Sequence, residues 1–288
     1  MNICRTIAEF RALRGEYLSR SEVVALVPTM GFLHEAHASL MKIGRENADR
    51  VVVSIFVNPS QFNQAADLES YPRDEERDFA LLRKEGVDAV FCPAAPEMYP
   101  EGFQSWVSVE EISRPWEGAG RPGHFRGVAT VCSMLFNLVQ PDVAVFGEKD
   151  FQQLRLIQQM VEDLKIPTRI MPGPLVRESD GLAMSSRNVR LSPSGREKAL
   201  HISQSLFAVK ERFLQGERKS ELLVTSAKER LNSLPGVTAN YLSIVNEKDL
   251  SECIEIVPED GARIIATVTV DGVRLLDNLE LEDRSRGV

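Results

Sequence analysis

The sequence lacks the features that mark several common classes of protein. Its four cysteines, Cys4, Cys92, Cys132 and Cys253, are scattered without a CxxC pair or a cysteine–histidine ligand spacing. This pattern argues against a disulfide scaffold or a zinc module, so we expect them to pack as small buried hydrophobic residues. The longest apolar runs, such as residues 51–57, are far shorter than the ~20 residues that span a bilayer, so no transmembrane helix is expected.

The sequence also lacks an excess of positive charge. It has 34 Lys plus Arg against 42 Asp plus Glu, a net charge of −8, and it shows no local basic stripe. Stable binding to nucleic acid is therefore not expected, whereas a small anionic substrate could still bind at a local site. Residues 1–16 carry charges of both signs and show neither the apolar stretch nor the cleavage site of a signal peptide. We therefore expect a cytoplasmic protein that does not associate with membranes.

Short apolar runs alternate with amphipathic segments over roughly the first 170 residues. Strands are predicted at residues 23–27, 51–57, 88–92 and 143–146, and helices at residues 36–47, 73–85, 127–139 and 151–164. Repeated β-α-β units predict a parallel sheet with helices on its faces. We therefore predict a Rossmann-like α/β domain over residues 1–180.

The pattern changes after the MPGP segment at residues 171–174. Two helices are predicted, from Ser192-Pro193 to about residue 216 and from residue 219 onward. Three strands are predicted, at residues 240–245, 263–270 and 273–279. The Asp271-Gly272 pair between the last two strands is a strong hairpin signal. Residues 181–288 are thus predicted to form a smaller α+β C-terminal domain.

Two of the four histidines fall in the first strand-to-helix loop, VPTMGFLHEAH at residues 27–37. His34 and His37 are three residues apart at a predicted helix start, so both can project from one face. Such loops in parallel sheets lead into helix N-termini, which favour anions. The alternative is a surface histidine pair at a capped helix end. A metal site is disfavoured, because no local cysteine, histidine and carboxylate set completes one.

Two more segments place polar residues where phosphate chemistry is possible. Lys149 follows a later strand, and its ammonium could neutralise phosphates; alternatively it is a solvated charge, with Asp150 and Gln153 as a capping box. The GLAMSSRN segment at residues 181–188 joins the two predicted domains, and its composition alone favours a flexible polar linker with locally capping serines.

The NPSQF segment brings neutral amides to the end of another strand. Asn58 and Gln61 follow the apolar run at residues 51–57. A neutral amide can hydrogen-bond a hydroxyl or carboxylate without forming an ion pair that would weaken a nucleophile. The alternative is that both residues only cap the next turn.

Six blocks together resemble the pantoate-β-alanine ligase (pantothenate synthetase) family of the HIGH-motif nucleotidyltransferase superfamily. PTMGFLHEAHASL is similar to the family's PTMGxLHxGH segment, and the likeness continues in order through VVVSIFVNPSQF, YPRD, RPGHFRGVATV, FGEKDFQQL and DGLAMSSRN. One position departs from the pattern, since Ala36 stands where the family has Gly. The added methyl favours the helix by about 1 kcal/mol, and we expect it to be tolerated beside a nucleotide.

The resemblance implies a role for each block. It implies ATP contacts from Met30, Gly31, Phe32, Leu33, His34, Glu35, Ala36, His37, Gly147, Glu148, Lys149, Asp150, Val176, Met184, Ser185, Ser186 and Arg187. It implies pantoate contacts from Gln61 and Gln153, β-alanine contacts from Gln61, and further candidates at Asn58, Tyr71, Arg121 and His124. His37, with His34 and Lys149, is the expected catalytic set, because preset donors stabilise the charge that develops on phosphate oxygens. The resemblance also implies that the segment at residues 184–187 is the counterpart of the KMSKS loop, which closes over the triphosphate.

The implied reaction joins pantoate and β-alanine at the expense of ATP, through a pantoyl adenylate. ATP with Mg²⁺, pantoate and β-alanine are the expected small-molecule partners, residues 1–180 the ATP- and pantoate-binding domain, residues 181–288 a lid, and a homodimer the expected assembly. Two other functions compete with this one. A nucleotidyltransferase acting on a phosphorylated substrate would need extra cationic residues where amides stand, and an RNA- or nucleotide-binding module without activity would need a basic surface.

Overall fold

The computed structural model describes residues 1–282, and contacts divide the chain into two compact units. The first comprises Met1–Glu148 and Gln152–Pro174, and the second comprises Lys149–Phe151 and the described residues from Leu175 onward. The division falls at Pro174, where the last strand of the first unit has just ended, rather than at residue 180. Within residues 1–282, no helix is both long and apolar enough to cross a membrane.

The first unit is built on a six-stranded parallel sheet. Its strands are β1 Asn2–Cys4, β2 Val24–Thr29, β3 Arg50–Ile55, β4 Ala89–Phe91, β5 Val143–Gly147 and β6 Arg169–Gly173. They lie in the order β1-β4-β3-β2-β5-β6, so the chain reverses its direction of travel across the sheet between β2 and β5. In open α/β sheets, ligands bind beyond the carboxyl ends of the strands at this reversal. The loops that follow β2, β3 and β5 are therefore the first places to look for a site.

Helices cover both faces of this sheet, which explains why its central strands are continuously apolar. The helices are α1 Ile7–Ser19, α2 Glu35–Asn47, α3 Ala65–Glu69, α4 Glu75–Lys84, α5 Ala95–Met98, α6 Glu117–Gly120, α7 His124–Val139 and α8 Phe151–Asp163. Asp74 caps the start of α4 by accepting the N–H of Arg77 at 3.1 Å, and three acidic residues in the first turn interact favourably with the helix dipole. The predicted α/β class and the predicted strands and helices are confirmed, mostly to within one to three residues at each end.

Besides the short helices α3, α5 and α6, three elements of the first unit carry no clear signal in the sequence. Helix α1 hides its periodicity, because Arg14 lies on its buried side and donates to the carbonyls of Val139 (2.7 Å) and Gln140 (2.9 Å). Strand β1 has only three residues, and β6 contains Pro172, which an edge strand tolerates because it need not donate on its outer side. Most of the MPGP segment is therefore part of β6.

The second unit is the smaller α+β domain that the sequence predicts. It contains α9 Pro193–Leu214, α10 Ser220–Asn232 and an antiparallel sheet of β7 Val237–Asn246, β8 Ala262–Val270 and β9 Val273–Glu280 in the order β7-β8-β9. Ser192 caps α9 by accepting the N–H of Gly195 at 3.0 Å. Asp271 and Gly272 both have positive φ, 45° and 84°, as a tight two-residue hairpin requires.

The cysteines behave as expected. Cys4, Cys92 and Cys132 are buried, Cys253 is half-buried against the core of the second unit, and all four are free thiols. Burial raises the pKa of Cys92 to about 11 and that of Cys132 to about 12, so both stay protonated at neutral pH.

A buried ion pair lies at the edge of the second unit's sheet. Arg177 donates to both carboxylate oxygens of Asp277, at 2.7 and 2.9 Å, and Asp277 is only 4% exposed. Burial raises the pKa of Asp277, whereas the guanidinium opposes that shift. A two-pronged pair of this kind is costly to break from one side, because the remaining charge is left without its partner.

Replacing Arg177 by Ala should lower the free energy of unfolding of the second unit by about 3–5 kcal/mol. Lys198→Ala is the matched control, because Lys198 pairs with Asp271 in the same unit but nearer the surface, and should cost less than about 1 kcal/mol. Urea unfolding followed by circular dichroism measures both. Equal losses of unfolding free energy in the two variants would show that the Arg177–Asp277 pair stabilises the fold no more than the pair nearer the surface.

Candidate active site

The loop between β2 and α2 makes a sharp turn that begins at a buried threonine. Thr29 donates its hydroxyl to the carbonyl of Ser54 on β3 (2.7 Å) and accepts the N–H of Gly31 (3.2 Å). Gly31 and Phe32 then follow with positive φ values of 82° and 52°. Glycine adopts this conformation without strain, whereas phenylalanine does not. The turn therefore needs support from elsewhere in the fold.

That support comes from Asp78 on α4, a residue that no motif in the sequence singles out. One carboxylate oxygen accepts the N–H of Phe32 at 2.8 Å, and the other accepts the N–H of Leu33 at 2.6 Å. Asp78 is only 2% exposed. Burial raises its pKa, and the two N–H bonds oppose that shift. Its neighbour Arg77 places its guanidinium over the Phe32 ring, 4.8 Å from the centroid.

The two histidines lie together at the start of α2, as their spacing predicts. His34 precedes the helix and His37 lies in its first turn, with ring centroids 4.1 Å apart. The N–H of His34 donates to Nδ1 of His37 at 3.2 Å. A neutral His37 therefore carries its proton on Nε2. The pair also supports the helix start, which is the alternative that the sequence left open.

Several other predicted residues of this loop differ in their surroundings. Leu33 is 1% exposed, and the N–H groups of Phe32 and Leu33 already donate to Asp78. Glu35 is exposed and Ala36 is half-buried in the first turn of α2. Contact of each of these residues with ATP stays a prediction.

The turn after β3 is organised around the side chain of Asn58, which is 1% exposed. Its amide nitrogen donates to Oε1 of Gln61 and to the carbonyl of Gly127, both at 3.1 Å. Its oxygen accepts hydrogen bonds from the hydroxyls of Tyr99 and Ser60, both at 2.9 Å. Both N–H groups of the amide are thus used within the protein. Tyr99 had no sequence signal, because it is 41 positions from its partner.

Gln61 is held by hydrogen bonds at both its side chain and its backbone. Its side-chain nitrogen donates to Sδ of Met30 at 2.9 Å, which links the turns after β2 and β3. Its backbone carbonyl accepts Nδ1–H of His124 at 2.8 Å and the guanidinium of Arg121 at 3.3 Å. The structure thus brings Met30, Gln61, Arg121 and His124 together. Tyr71, a little further along the chain, is buried and packs edge-on against Phe62, with ring centroids 5.8 Å apart.

The loop after β5 divides between the two units. Gly147 is the last residue of β5, where it pairs with Gly173, and Glu148 begins a short 3-10 turn. In the second unit, the carbonyl of Lys149 accepts the side-chain N–H of Asn278 on β9 at 3.0 Å, and its ammonium lies 3.5 Å from Asp150. The Lys149 side chain is about one-fifth exposed. Asn278 is a further anchor that the sequence did not reveal.

Gln153, the other residue expected to contact pantoate, lies in the first turn of α8 and is half-buried. Its contact with pantoate stays a prediction.

The segment at residues 176–187 folds back on itself within the second unit. The N–H of Met184 donates to the carbonyl of Val176 at 3.0 Å, so these two predicted ATP contacts are neighbours. Ser185 accepts the N–H of Arg187 at 3.2 Å and begins a 3-10 helix, Ser186–Arg190. Local capping by a serine, the alternative from the sequence, is therefore present. The proposed phosphate contacts of Ser185, Ser186 and Arg187 stay predictions.

Gly127 in α7 should not tolerate a side chain. A Cβ there would lie 2.5 Å from the carbonyl oxygen of Ser60 and 2.8 Å from the N of Gln61, and these are backbone atoms that cannot move independently. Gly127→Ala should therefore displace the turn and lower the free energy of unfolding by about 1–3 kcal/mol. Gly15→Ala, in α1 with no atom within 4 Å, should instead stabilise the protein by roughly 0.5–1 kcal/mol. Thermal melts compare them, and a stabilised Gly127→Ala protein would contradict the contact.

Comparisons with known proteins agree over nearly the whole chain. A family model described as pantoate-beta-alanine ligase matches residues 2–280. The chain is 46% identical over 279 residues to a pantothenate synthetase of Thermoanaerobacter sp. (strain X514), covering 97% of this chain and 98% of that protein. It is 47% identical over 282 residues to a pantothenate synthetase of Pelobacter propionicus, covering 98% of each.

Solved structures give the same result. The pantothenate synthetase of Thermus thermophilus superposes with a TM-score of 0.92 at 46% identity, covering 98% of this chain and 100% of that one. The pantoate-beta-alanine ligase of Francisella tularensis, solved with beta-gamma ATP and beta-alanine, gives a TM-score of 0.83 at 33% identity and 98% coverage of each chain. By sequence and by fold, the chain belongs to the pantoate-β-alanine ligase family.

Proposed function

We propose that the chain catalyses the ATP-dependent condensation of (R)-pantoate with β-alanine, giving pantothenate, AMP and pyrophosphate. The observation that carries this proposal is the placement of a neutral amide, Gln61, and an imidazole pair, His34 and His37, after adjacent strands at the carboxyl edge of the sheet. The family match over residues 2–280 supports the same reaction.

In the first half-reaction, the carboxylate of pantoate attacks the α-phosphorus of ATP. The new O–P bond forms as the bond to the β-phosphate oxygen breaks, and pyrophosphate leaves. Negative charge grows on the phosphate oxygens, so donors preset at the start of α2 stabilise the transition state more than the ground state. Nε2–H of His37 is the donor we assign to this role, because Nδ1 is committed to the His34 N–H.

Pantoate is best bound by neutral groups, because a tight ion pair would weaken its carboxylate as a nucleophile. Gln61 offers such a group: its amide nitrogen carries two hydrogens, of which one donates to Met30. Asn58 has both amide hydrogens bonded inside the protein, so we assign it the positioning of Gln61 rather than direct contact. In the second half-reaction the amine of β-alanine attacks the acyl carbon and AMP leaves, a step that mainly needs orientation and exclusion of water.

The proposal extends to the second unit, to the metal and to the assembly. Residues 184–187 are assigned to the triphosphate and Val176 to adenine, with residues 181–288 acting as a lid.

ATP is expected to arrive with Mg²⁺ on its phosphates as part of the substrate. Among residues 1–282 no group of three or more histidine, cysteine or carboxylate side chains is arranged to hold a metal ion. A homodimer in the cytoplasm is proposed from the family resemblance alone, and light scattering in solution tests the dimer.

Pyrophosphate should form from ATP only when pantoate is present, and AMP and pantothenate should follow when β-alanine is added. Mass spectrometry of the mixture without β-alanine should detect pantoyl adenylate bound to the enzyme. CTP serves as the control nucleotide. Turnover of CTP with a phosphorylated alcohol, with no reaction of pantoate, would contradict the proposed function and favour the nucleotidyltransferase alternative.

Lys149→Ala should slow adenylate formation about 10²-fold and affect the attack of β-alanine on preformed adenylate much less. The reason is that only the first step develops charge on a pyrophosphate leaving group, and loss of one preset charged contact typically costs about 3 kcal/mol. Single-turnover assays of the two half-reactions measure this difference. Lys42→Ala, an exposed lysine of α2, is the control and should leave both rates unchanged. Equal slowing of both steps by Lys149→Ala would assign Lys149 to the fold or to the adenosine instead.

A further inference from the structure

We propose that Asp78 is a positioning residue for adenylate formation, which sets the orientation of His34 and His37 through the turn that precedes them. The inference deepens the proposed function and rests on it. Asp78 lies on α4, well beyond the histidines in sequence, and its carboxylate oxygens accept from Phe32 and Leu33. Its effect on the reaction would pass through the backbone of residues 31–33.

The contact between Asp78 and the turn is buried and uses both oxygens of the carboxylate. The carboxylate uses both oxygens to accept two consecutive N–H groups, those of Phe32 and Leu33, and the residue is 2% exposed. A Cβ at Gly31 would lie only 3.0 Å from Oδ2 of Asp78. A side chain at residue 31 would therefore crowd this carboxylate, which is a further reason for glycine at this position besides its positive φ.

The turn needs this contact because its backbone is unfavourable. Gly31 and Phe32 both have positive φ, and Phe32 carries a side chain that disfavours that region. Such conformations persist only where the surrounding structure holds them, and they concentrate at functional sites. Helix α4 supplies the restraint. Its Asp78 accepts two hydrogen bonds from the turn, and its Arg77 stacks on the Phe32 ring.

The turn in turn fixes the histidines. Leu33, whose N–H is bonded to Asp78, directly precedes His34, and the His34 N–H donates to Nδ1 of His37. A shift of the turn would move the His34 N–H and release the bond that assigns the proton of His37 to Nε2. A misplacement of about 1 Å in a catalytic group can cost about 10²-fold in rate.

A carboxylate suits this position better than an amide of the same shape. Both partners of Asp78 are N–H donors, and an ionised carboxylate accepts on both oxygens. Asparagine offers one acceptor, and its NH₂ group would face the second N–H. Asp78→Asn therefore removes one bond and introduces a donor–donor conflict with almost no change in volume.

The test compares Asp78→Asn with Asp142→Asn. Asp142 also accepts a backbone N–H, that of Val24 at 2.8 Å, but at the amino end of β2, the end opposite the turn. Asp78→Asn should slow adenylate formation at saturating substrates by about 10- to 100-fold and leave the attack of β-alanine on preformed adenylate within about threefold. Asp142→Asn should leave both half-reactions within about threefold.

A second readout is spectroscopic and independent of activity. The chain has only four histidines, so imidazole ¹⁵N shifts can be assigned by removing them one at a time. The wild-type protein should show His37 as the Nε2–H tautomer, and Asp78→Asn should shift that equilibrium, whereas Asp142→Asn should not. If Asp78→Asn does not fold, Asp78→Ser replaces the two-oxygen acceptor with one hydroxyl, whose hydrogen can rotate away from the two N–H groups, and it is judged by the same measurements.

The outcomes separate the two proposals. A wild-type enzyme that forms no adenylate would overturn the proposed function, and the His37 spectrum would then decide the effect of Asp78 by itself. With an active wild type, equal slowing of both half-reactions, equal effects of Asp78→Asn and Asp142→Asn, or an unchanged His37 tautomer would each overturn the positioning role.

Discussion

A buried backbone N–H or carbonyl that lacks a hydrogen-bond partner costs about 1–3 kcal/mol, and the irregular loops at a ligand site supply too few such partners from within. In this protein, buried side chains from distant elements supply them. Asp78 accepts two N–H groups of the turn after β2, His124 donates to the carbonyl of Gln61 in the turn after β3, Asn58 donates from that turn to the carbonyl of Gly127 in α7, and Asn278 donates to the carbonyl of Lys149. Every loop that carries a proposed catalytic group therefore has its backbone fixed by a side chain that belongs to another segment.

This constraint separates two kinds of polar residue that look alike in a sequence. Some groups are used up inside the protein, as in Asn58, whose amide hydrogens are both bonded. Others are oriented by a bond at one atom and act through a different hydrogen in the proposed reaction, as Gln61 and His37 do. The groups that act in the proposed reaction keep their orientation only if the groups bonded inside the protein have all their hydrogen-bond partners, because a partly satisfied network would let the loops move.

The sequence predicts the fold well, and the distant anchors of the loops in the proposed site poorly. Strand and helix periods report which face of an element is buried, so the α/β class and its order of elements follow from local patterns. The anchors lie far from their partners in sequence: Asp78 is 46 positions from Phe32, Gly127 is 69 from Asn58, and Asn278 is 129 from Lys149. No period or turn signal reports such pairs. Helix α1 shows no clear period in the sequence for a related reason, because Arg14 occupies its buried face.

The anchors also account for the departure at Ala36. With the N–H groups of Phe32 and Leu33 donated to Asp78 and that of His34 donated to His37, the donors at the start of α2 that have no intrahelical carbonyl partner are those of Glu35 and Ala36. In the proposed reaction these two N–H groups, with Nε2–H of His37, bind the phosphates. A backbone N–H is the same donor in alanine as in glycine, and alanine costs less conformational entropy at a helix start. In this proposal the methyl group is compatible with phosphate binding, because the backbone N–H binds the phosphate and the side chain takes no part in that hydrogen bond.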